Sequence, residues 1–288
     1  MSTLHVEVHG DGPPLVLLHG WALNVRVWDS LLPALIPKFK VIAMDLAGHG
    51  RSAWHPAARD LNGHAQLVAT TFAQLADEDP SVAAQGATIL GWSFGGQVAL
   101  TLAALDAESN AQSAFQSHAT KPAVSNVSRL KIDKLVLTAT SPKFAASPDW
   151  PHGLAAPVLA HFAQELQSDY RQTVSDFLDL QVRGSANSSA VLGVLRNALF
   201  VHGEATREAL TEGLKTLESA DLRPRLAEIR QRSLVISGQY DRVTPSAAGK
   251  ALAESLPNAS FLEIRRAGHA PFLSHMDSFL EALFDATT

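Results

Sequence analysis

The sequence predicts an α/β fold, in which helices flank a mostly parallel, twisted sheet. Residues 15–18 and 41–44 are continuously apolar, as expected of strands that are buried on both faces of a parallel sheet. Segments with apolar residues at helical spacing, such as residues 64–76, lie between such strands. A chain of 288 residues that is 46% hydrophobic and 18% charged can bury the core that this kind of domain needs.

The other elements continue the alternation of strands and helices. Residues 4–8 alternate between apolar and polar and run into a Gly- and Pro-rich turn, which predicts an edge strand or a hairpin. A run without helix breakers at 97–105 predicts a helix, and residues 106–129, rich in small polar residues, predict a surface excursion without chemistry of its own. Further strands are predicted at residues 87–90, 135–139, 233–238 and 260–264.

The pattern changes after residue 141, where helical periodicities follow one another with no strand between them. We therefore predict an inserted four-helix lid at residues 142–221, carried by a core formed from residues 1–141 and 222–288. Such a lid would cover the carboxyl edge of the sheet, where open α/β sheets bind ligands. It would select the substrate and exclude water.

Composition excludes several classes of protein. A formal net charge of -5 and a pI near 6.2 provide no basic field for nucleic acid, and the absence of cysteine excludes disulfides and a cysteine nucleophile. Neither a basic-then-apolar leader nor an apolar run of membrane-spanning length is present, so we expect a cytoplasmic protein without membrane contacts. We also expect a monomer, and neither a metal nor a cofactor.

Ser93 lies in the pattern Gly-Trp-Ser-Phe-Gly, between a predicted strand and a predicted helix. This strand-turn-helix setting is that of a nucleophile elbow, in which small residues permit a sharp turn that exposes the serine hydroxyl at a helix N-terminus. The alternative is a plain tight turn, because short glycine-containing patterns also recur by chance.

Asp241 and His269 each follow one of the last two predicted strands. The carboxyl ends of parallel strands meet at one edge of the sheet, so the order Ser93, Asp241, His269 predicts a catalytic triad at that edge. His269 would accept the proton of the serine hydroxyl, and Asp241 would orient the imidazole. Taken singly, the histidine could be structural and the aspartate a turn former.

The oxyanion hole is predicted from the backbone N–H groups of Trp21 and Phe94. Trp21 follows a buried strand in the run His19-Gly20-Trp21, and Phe94 directly follows the candidate nucleophile. The alternative is that His19 and Gly20 only turn the chain. His49, in the glycine-containing loop after residue 44, is interpreted as structural.

Over nearly its full length the chain resembles the α/β-hydrolase family and, within it, the pimeloyl-[acyl-carrier protein] methyl ester esterases of biotin synthesis. The more specific part of the resemblance is Trp92 beside the nucleophile, together with the motifs at residues 141–144, 149–151 and 177–181. The matching stretches are residues 17–24, 90–96, 140–144, 149–151, 177–181 and 270–275.

The resemblance implies a cofactor-free serine carboxylesterase that removes the methyl group of a pimeloyl ester carried by acyl carrier protein. The residues it implies for substrate binding are Trp21, Ser93, Phe94, Phe177, Leu178, Asp179, Leu180, Gln181 and His269. For Phe177 and Leu178 the alternative is packing inside the lid.

Two features depart from the family pattern: residues 106–129 are long, and Gln172 and Asp176 stand where the resemblance implies basic residues. The cations that could still attract an acidic carrier protein are Arg171, Arg183, Arg196 and Arg207. Alternatives that remain open are a short-chain esterase, a C–C bond hydrolase, an aminopeptidase and a non-enzymatic member of the fold.

Overall fold

The computed structural model describes residues 4–115 and 129–288. Within them, seven strands form one sheet in the order β1-β3-β2-β4-β5-β6-β7. All neighbouring strands are parallel except β1, which pairs antiparallel with β3 at one edge. The strands are β1 (Val6–His9), β2 (Pro14–Leu18), β3 (Lys40–Met44), β4 (Ala87–Trp92), β5 (Ile132–Thr138), β6 (Arg232–Gly238) and β7 (Ala259–Ile264). The predicted α/β fold with a mostly parallel sheet is confirmed.

The burial of the strands follows their sequence pattern. Every residue of the central strands β2, β3 and β4 is buried, whereas the edge strands β1 and β7 are mostly half-buried or exposed. The continuous apolar runs thus occupy the centre of a sheet that is covered on both faces. The alternating run at the start of the chain forms an edge strand, as predicted.

The helices have the following bounds: α1 (Leu32–Leu35), α2 (Leu61–Glu78), α3 (Phe94–Phe115), α4 (Ala156–Ser168), α5 (Tyr170–Val182), α6 (Ser188–His202), α7 (Arg207–Ser219), α8 (Ser246–Ser255), α9 (Pro271–Ser274) and α10 (Met276–Thr287). Short 3₁₀ helices cover Val25–Trp28, Pro80–Ala83 and Arg223–Glu228. Side-chain caps begin several of the helices: the Asp60 carboxylate accepts from the Gly63 N–H at 2.8 Å, and the Thr206 hydroxyl from the Ala209 N–H at 3.2 Å.

The helix after β4 is longer than the sequence indicated. We expected residue 105 to end it and a surface excursion to begin at residue 106, but α3 continues to Phe115. The added residues contain no glycine or proline and several good helix formers, so their polarity does not break the helix. The rest of the expected excursion lies outside the described residues.

Helices α4 to α7 lie between β5 and β6 along the chain, in a segment we call the helical insertion (residues 142–221). α5 packs against α4 and α6, and α7 packs against α4. The two ends of the insertion meet, because the Leu222 N–H donates to the Pro142 carbonyl at 2.9 Å. Its division from the core as a separate lid stays a prediction.

Candidate active site

Ser93 lies between the end of β4 and the start of α3, in the left-handed region at φ +56°. Only glycine adopts this conformation freely, so the serine is strained. The neighbouring glycines are required by space: a Cβ on Gly91 would lie 2.5 Å from the Gly95 carbonyl oxygen, and one on Gly95 would lie 2.2 Å from the Leu18 carbonyl oxygen. The turn can form only with glycine at both positions.

Two hydrogen bonds from the loop after β5 hold the serine backbone. The Ser93 N–H donates to the Thr138 carbonyl at 2.9 Å, and the Thr140 hydroxyl donates to the Ser93 carbonyl at 2.7 Å. Thr138 ends β5, the strand next to β4, so the sheet itself fixes the strained residue.

The structure brings the three predicted triad residues together. The Ser93 hydroxyl lies 2.9 Å from Nε2 of His269, and Nδ1 of His269 lies 2.8 Å from a carboxylate oxygen of Asp241. With a neutral imidazole, this network has Nδ1–H donating to Asp241 and Nε2 accepting from the hydroxyl. All three residues are buried, and His269 is fully enclosed.

Thr244 is a member of this network that sequence reasoning missed. Its hydroxyl donates to Asp241 Oδ2 at 2.7 Å and lies 3.3 Å from Nδ1 of His269. The N–H groups of Val243 and Thr244 both donate to Asp241 Oδ1 at 2.8 Å. The signal in the sequence is Asp-x-x-Thr after a strand, in which an aspartate bonds the backbone two and three residues on.

The backbone of His269 is held from both the core and the helical insertion. Its carbonyl accepts from the indole N–H of Trp92 at 2.7 Å. Its N–H donates to the carbonyl of Gln181, in the last turn of α5, at 2.9 Å. A second bond joins the same segments, from the Ala186 N–H to the Arg266 carbonyl at 2.9 Å. The loop that carries the imidazole is therefore tied to the helices above it.

The loop after β2 approaches the nucleophile closely, since a Cβ on Gly20 would lie 3.3 Å from the Ser93 Cβ. The backbone N–H groups of Trp21 and Phe94 have no acceptor among the described residues. An unpaired N–H at the first residue of α3 is expected, because the first turn of a helix leaves its donors free. Both groups are therefore available to an oxyanion.

His19 orders this loop. Its Nε2 accepts from the Leu46 N–H at 2.9 Å, and its Nδ1 lies 2.8 Å from the Gly20 carbonyl. Burial lowers the pKa of His19, which keeps the ring neutral and able to accept at Nε2. His49, interpreted as structural from the sequence, is buried, and its Nδ1 lies 3.1 Å from the Ala47 carbonyl.

The residues expected to bind substrate do not all face one space. Phe177 packs edge-on against Trp21 with ring centroids 5.0 Å apart, and Leu178 lines a cavity between the insertion and the core. Asp179 instead points to the surface, where it pairs with Arg196 at 3.3 Å. Leu180 is half-buried, and Gln181 contacts the His269 loop through its carbonyl.

The cavity beside Leu178 has an empty volume of about 490 Å³, which includes space open to solvent. None of the triad residues lines it, although Ala22, next to Trp21, does. Its apolar wall is formed by Ala22, Val174, Leu178, Leu199, Ala205 and Leu210, and its polar lining by Tyr170, Arg171, Ser175, Arg196 and Glu204.

Trp21 itself is buried. Its indole N–H donates to the Leu210 carbonyl of α7 at 3.1 Å, and a Cβ on Gly213 would lie 2.7 Å from the indole. The ring therefore fits against α7 only because residue 213 is glycine.

The cations of the insertion are mostly paired. Arg171 pairs with Glu204 at 3.3 Å, Arg196 with Asp179, and Arg207 lies over the Tyr170 ring, whose centroid is 5.8 Å away. Arg183 is exposed at the end of α5.

A family model described as the alpha/beta hydrolase family matches residues 15–282. The chain belongs to the alpha/beta hydrolase family. Two relatives, both called pimeloyl-[acyl-carrier protein] methyl ester esterase, are similar over nearly the whole chain. The one from Nitrosomonas europaea is 35% identical over 99% of this chain and 100% of its own length. The one from Xanthomonas campestris pv. campestris is 38% identical over 97% of both chains. The resemblance seen in the sequence is confirmed.

Solved structures share the fold at lower identity. An esterase from Exiguobacterium antarcticum superposes with a TM-score of 0.78 at 21% identity and covers 100% of both chains. An enol-lactonase from Burkholderia xenovorans LB400 superposes with a TM-score of 0.73 at 22% identity, over 99% of this chain and 96% of its own.

Proposed function

We propose that this chain is a serine carboxylesterase that hydrolyses the methyl ester of a pimeloyl group carried by acyl carrier protein, releasing methanol in biotin biosynthesis. The observation that carries the reaction type is the continuous set of contacts from the Ser93 hydroxyl through His269 to Asp241. The substrate comes from the names of the two relatives described above.

Acylation begins at Ser93. As its oxygen bonds to the ester carbonyl carbon, its proton passes to Nε2 of His269, and Asp241 stabilises the imidazolium that forms. The negative oxygen of the tetrahedral intermediate accepts hydrogen bonds from the N–H groups of Trp21 and Phe94, an interaction worth about 3 kcal/mol per donor.

The leaving group departs when the intermediate collapses. Nε2 of His269 returns the proton to the methoxy oxygen, the carbon–oxygen bond breaks, and methanol leaves behind an acyl-enzyme. Water then attacks the acyl carbon with His269 as base, which releases the carboxylate and restores the serine hydroxyl. No cofactor or metal takes part in this sequence of steps.

Substrate access requires a conformational change, because the triad is buried and does not line the cavity. We assign residues 142–221 the role of a lid on a core of residues 1–141 and 222–288. We assign the role of a gate to Trp21 and Phe177, whose rings pack edge-on against each other, next to cavity-lining residues Ala22 and Leu178 in the sequence. Their displacement would let the acyl chain pass from the cavity to Ser93. Of the other residues implied by the resemblance, Leu180 and Gln181 act here as parts of the lid. Asp179 does not line the cavity, although its ion-pair partner Arg196 does.

The partner in this proposal is acyl carrier protein, which is acidic and would dock beside the cavity mouth near Arg171, Arg183, Arg196 and Arg207. The enzyme itself acts as a cytoplasmic monomer. Among the described residues no helix is long and apolar enough to cross a bilayer.

The test compares the carrier-linked methyl ester with a small free methyl ester over a range of salt concentrations. We expect kcat/KM for the carrier-linked ester to fall as salt rises, because screening weakens docking between charged surfaces, and the free ester to change little. Arg183→Gln should reproduce the effect of salt on the first substrate only. Equal salt dependence with no preference for the carrier-linked ester would contradict the proposed substrate.

A second candidate is a carboxylesterase of broad specificity for short chains. It is favoured by the pairing of Arg171 with Glu204 and of Arg196 with Asp179, which neutralises two of the four cations that would attract the carrier. It predicts that free short-chain esters are hydrolysed as fast as the carrier-linked ester. A panel of esters, substrates of C–C bond hydrolases and amino-acid amides distinguishes the remaining activities that this family offers.

A further inference from the structure

A group of metal-ligating side chains lies away from the triad, where β1 meets the end of α6. Glu7 lies in β1, His5 directly precedes this strand, and His202 is the last residue of α6. One ligand atom from each lies within 4.8 Å of the other two. Nε2 of His5 is 3.5 Å from Glu7 Oε1, and the His5 and His202 rings are 5.2 Å apart. Alternate residues of a strand share a face, so β1 presents two donors to a third from the helical insertion.

His202 is oriented by a buried carboxylate. Its Nε2 lies 2.9 Å from Asp45 Oδ2, and both side chains are almost fully enclosed. Asp45 is itself held by the N–H groups of Val25 at 2.8 Å and Arg51 at 2.9 Å. A histidine whose second nitrogen bonds a fixed carboxylate has the ring orientation and basicity that metal-ligating histidines have in proteins.

The two carboxylate oxygens of Glu7 contact different partners. Its Oε2 bonds the Arg26 guanidinium, while Oε1 faces His5. Arg26 also pairs with Asp29 at 3.3 Å, and Nε2 of His9 lies 3.8 Å from Glu7 Oε2. Two carboxylates, those of Glu7 and Asp29, thus pair with one guanidinium, and a third, that of Asp45, contacts His202. The net negative charge of these groups favours a cation despite the arginine.

We propose that His5, Glu7 and His202 bind a divalent transition-metal ion of the Zn²⁺ class. Two imidazoles and one carboxylate oxygen suit zinc and its neighbours, whereas Mg²⁺ and Ca²⁺ prefer oxygen donors. In a tetrahedral zinc site, neighbouring ligand atoms are about 3.3 Å apart, from bonds of about 2 Å. The His5 and Glu7 atoms meet that spacing already, and both side chains are partly exposed, at 25% and 20%, so they can rotate toward the fixed His202.

From the sequence we expected no metal. His202 is remote from His5 along the chain, and only the fold brings the two residues together. The competing explanation is a hydrogen-bonded network that anchors the end of α6 to β1 without an ion. Binding of the metal distinguishes the two.

The experiment is a calorimetric titration of tag-free, metal-stripped protein with Zn²⁺ alone. We expect one site per chain, weakened at least about tenfold by His5→Gln and by His202→Gln. His161→Gln, at an exposed histidine of α4, is the matched control and should bind as the wild type does. Since the chain has no cysteine, no thiolate competes for the ion.

Because His202→Gln also removes a partner of buried Asp45, the partly exposed His5→Gln is the decisive variant. A bound ion would connect β1 to α6, so at the same concentration Zn²⁺ should raise the Tm of the wild type more than that of His5→Gln. Identical isotherms and Tm shifts for wild type and His5→Gln would overturn the site. Ser93→Ala should bind Zn²⁺ normally, which separates this result from the fate of the proposed esterase.

Discussion

The carboxyl edge of the sheet and the helical insertion hold their polar groups in different ways. At the sheet edge, buried Asp241 accepts from two backbone N–H groups and a hydroxyl besides contacting His269. On the insertion, the ion pair of Arg196 with Asp179 joins side chains that are 45% and 43% exposed. Buried, fully satisfied networks are rigid, whereas exposed ion pairs contribute little.

This difference assigns separate tasks to the two regions. At the sheet edge, hydrogen bonds fix the side chains of Ser93, His269 and Asp241 relative to one another. The strained backbone of Ser93 persists because β5 holds it by a hydrogen bond. The insertion packs through apolar helix faces and reaches the core at a few points, among them the bonds from Trp21 and His269. Substitutions at the sheet edge should therefore change the rate of the chemical step, whereas substitutions in the insertion should change the access of substrate.

The largest expected effect comes from removing the nucleophile. Ser93→Ala should lower kcat by about 10⁴-fold or more, equivalent to about 5.5 kcal/mol, because no other group can form the acyl-enzyme. Thermal unfolding should change little, since among the described residues the hydroxyl hydrogen-bonds only to His269. Ester hydrolysis and labelling by a fluorophosphonate measure this; undiminished turnover in the variant would disprove the assigned role of Ser93.

Acid should destabilise the sheet core more than the insertion. Burial lowers the pKa of His64 to about 4 and also lowers the pKa of His19 and His49. The unfolded chain gains a proton on each as pH falls below about 6.5, while the folded chain does not gain one on His64 until about pH 4. Stability present above pH 6.5 is thus lost between those values, by about 3 kcal/mol for His64.

Urea unfolding at a series of pH values measures this loss. His64→Leu should flatten the dependence, whereas His161→Leu, at an exposed histidine of the insertion, should leave it unchanged. If both variants kept the wild-type slope, burial of His64 would not be its cause.

Gly213→Ala tests the contact of the insertion with Trp21. The added methyl would lie 2.7 Å from the indole, so the ring or α7 must shift. We expect kcat/KM for esters to fall about 10- to 100-fold, because a small misplacement near the reacting groups costs that much. Titration of active sites with a small organophosphate distinguishes blocked access from a damaged triad.

The matched control is Gly193→Ala. Gly193 is also a helical glycine of the insertion, but a Cβ there meets nothing within 4 Å. This variant should retain full activity and gain about 0.5–1 kcal/mol in the free energy of unfolding, from helix propensity. Loss of activity in both variants would show that the effect does not depend on Trp21.

The smallest of these effects on activity is expected at Thr244. Thr244→Val removes the hydroxyl that donates to Asp241 Oδ2 and should lower kcat about tenfold, or about 1.4 kcal/mol, with KM unchanged. Thr244→Ser, which keeps the hydroxyl, should restore kcat; an unaltered kcat in Thr244→Val would limit Thr244 to a structural role.

The sheet and the meeting of Ser93, Asp241 and His269 were predictable because their signals are local. Continuous apolar runs mark the buried strands, and each functional residue directly follows one, so the positions of Ser93, Asp241 and His269 follow from topology. The fold class is confirmed on these grounds. Thr244 was missed because its role depends on the direction of one hydroxyl.

The insertion was less predictable because its signals are not local. Helical periodicity gives the existence of α4 to α7, but the orientation of each helix depends on contacts remote in sequence. The resemblance implied one substrate-binding segment at residues 177–181. In the structure, however, the side chain of Asp179 lies at the surface and that of Leu178 lines the cavity. Likewise, no sequence pattern around His202 predicts its contact with β1.

The two bonds that join residues 181 and 186 to the loop of His269 run from backbone to backbone. Replacing the side chains at Gln181 or Ala186 leaves both bonds in place, since neither donor nor acceptor belongs to a side chain. Evolution can therefore vary the side chains of this part of the insertion to suit a new substrate, while its backbone hydrogen bonds to the loop of His269 stay the same. Proline at position 186 or 269 is the exception, because it lacks the backbone N–H that donates the hydrogen bond there.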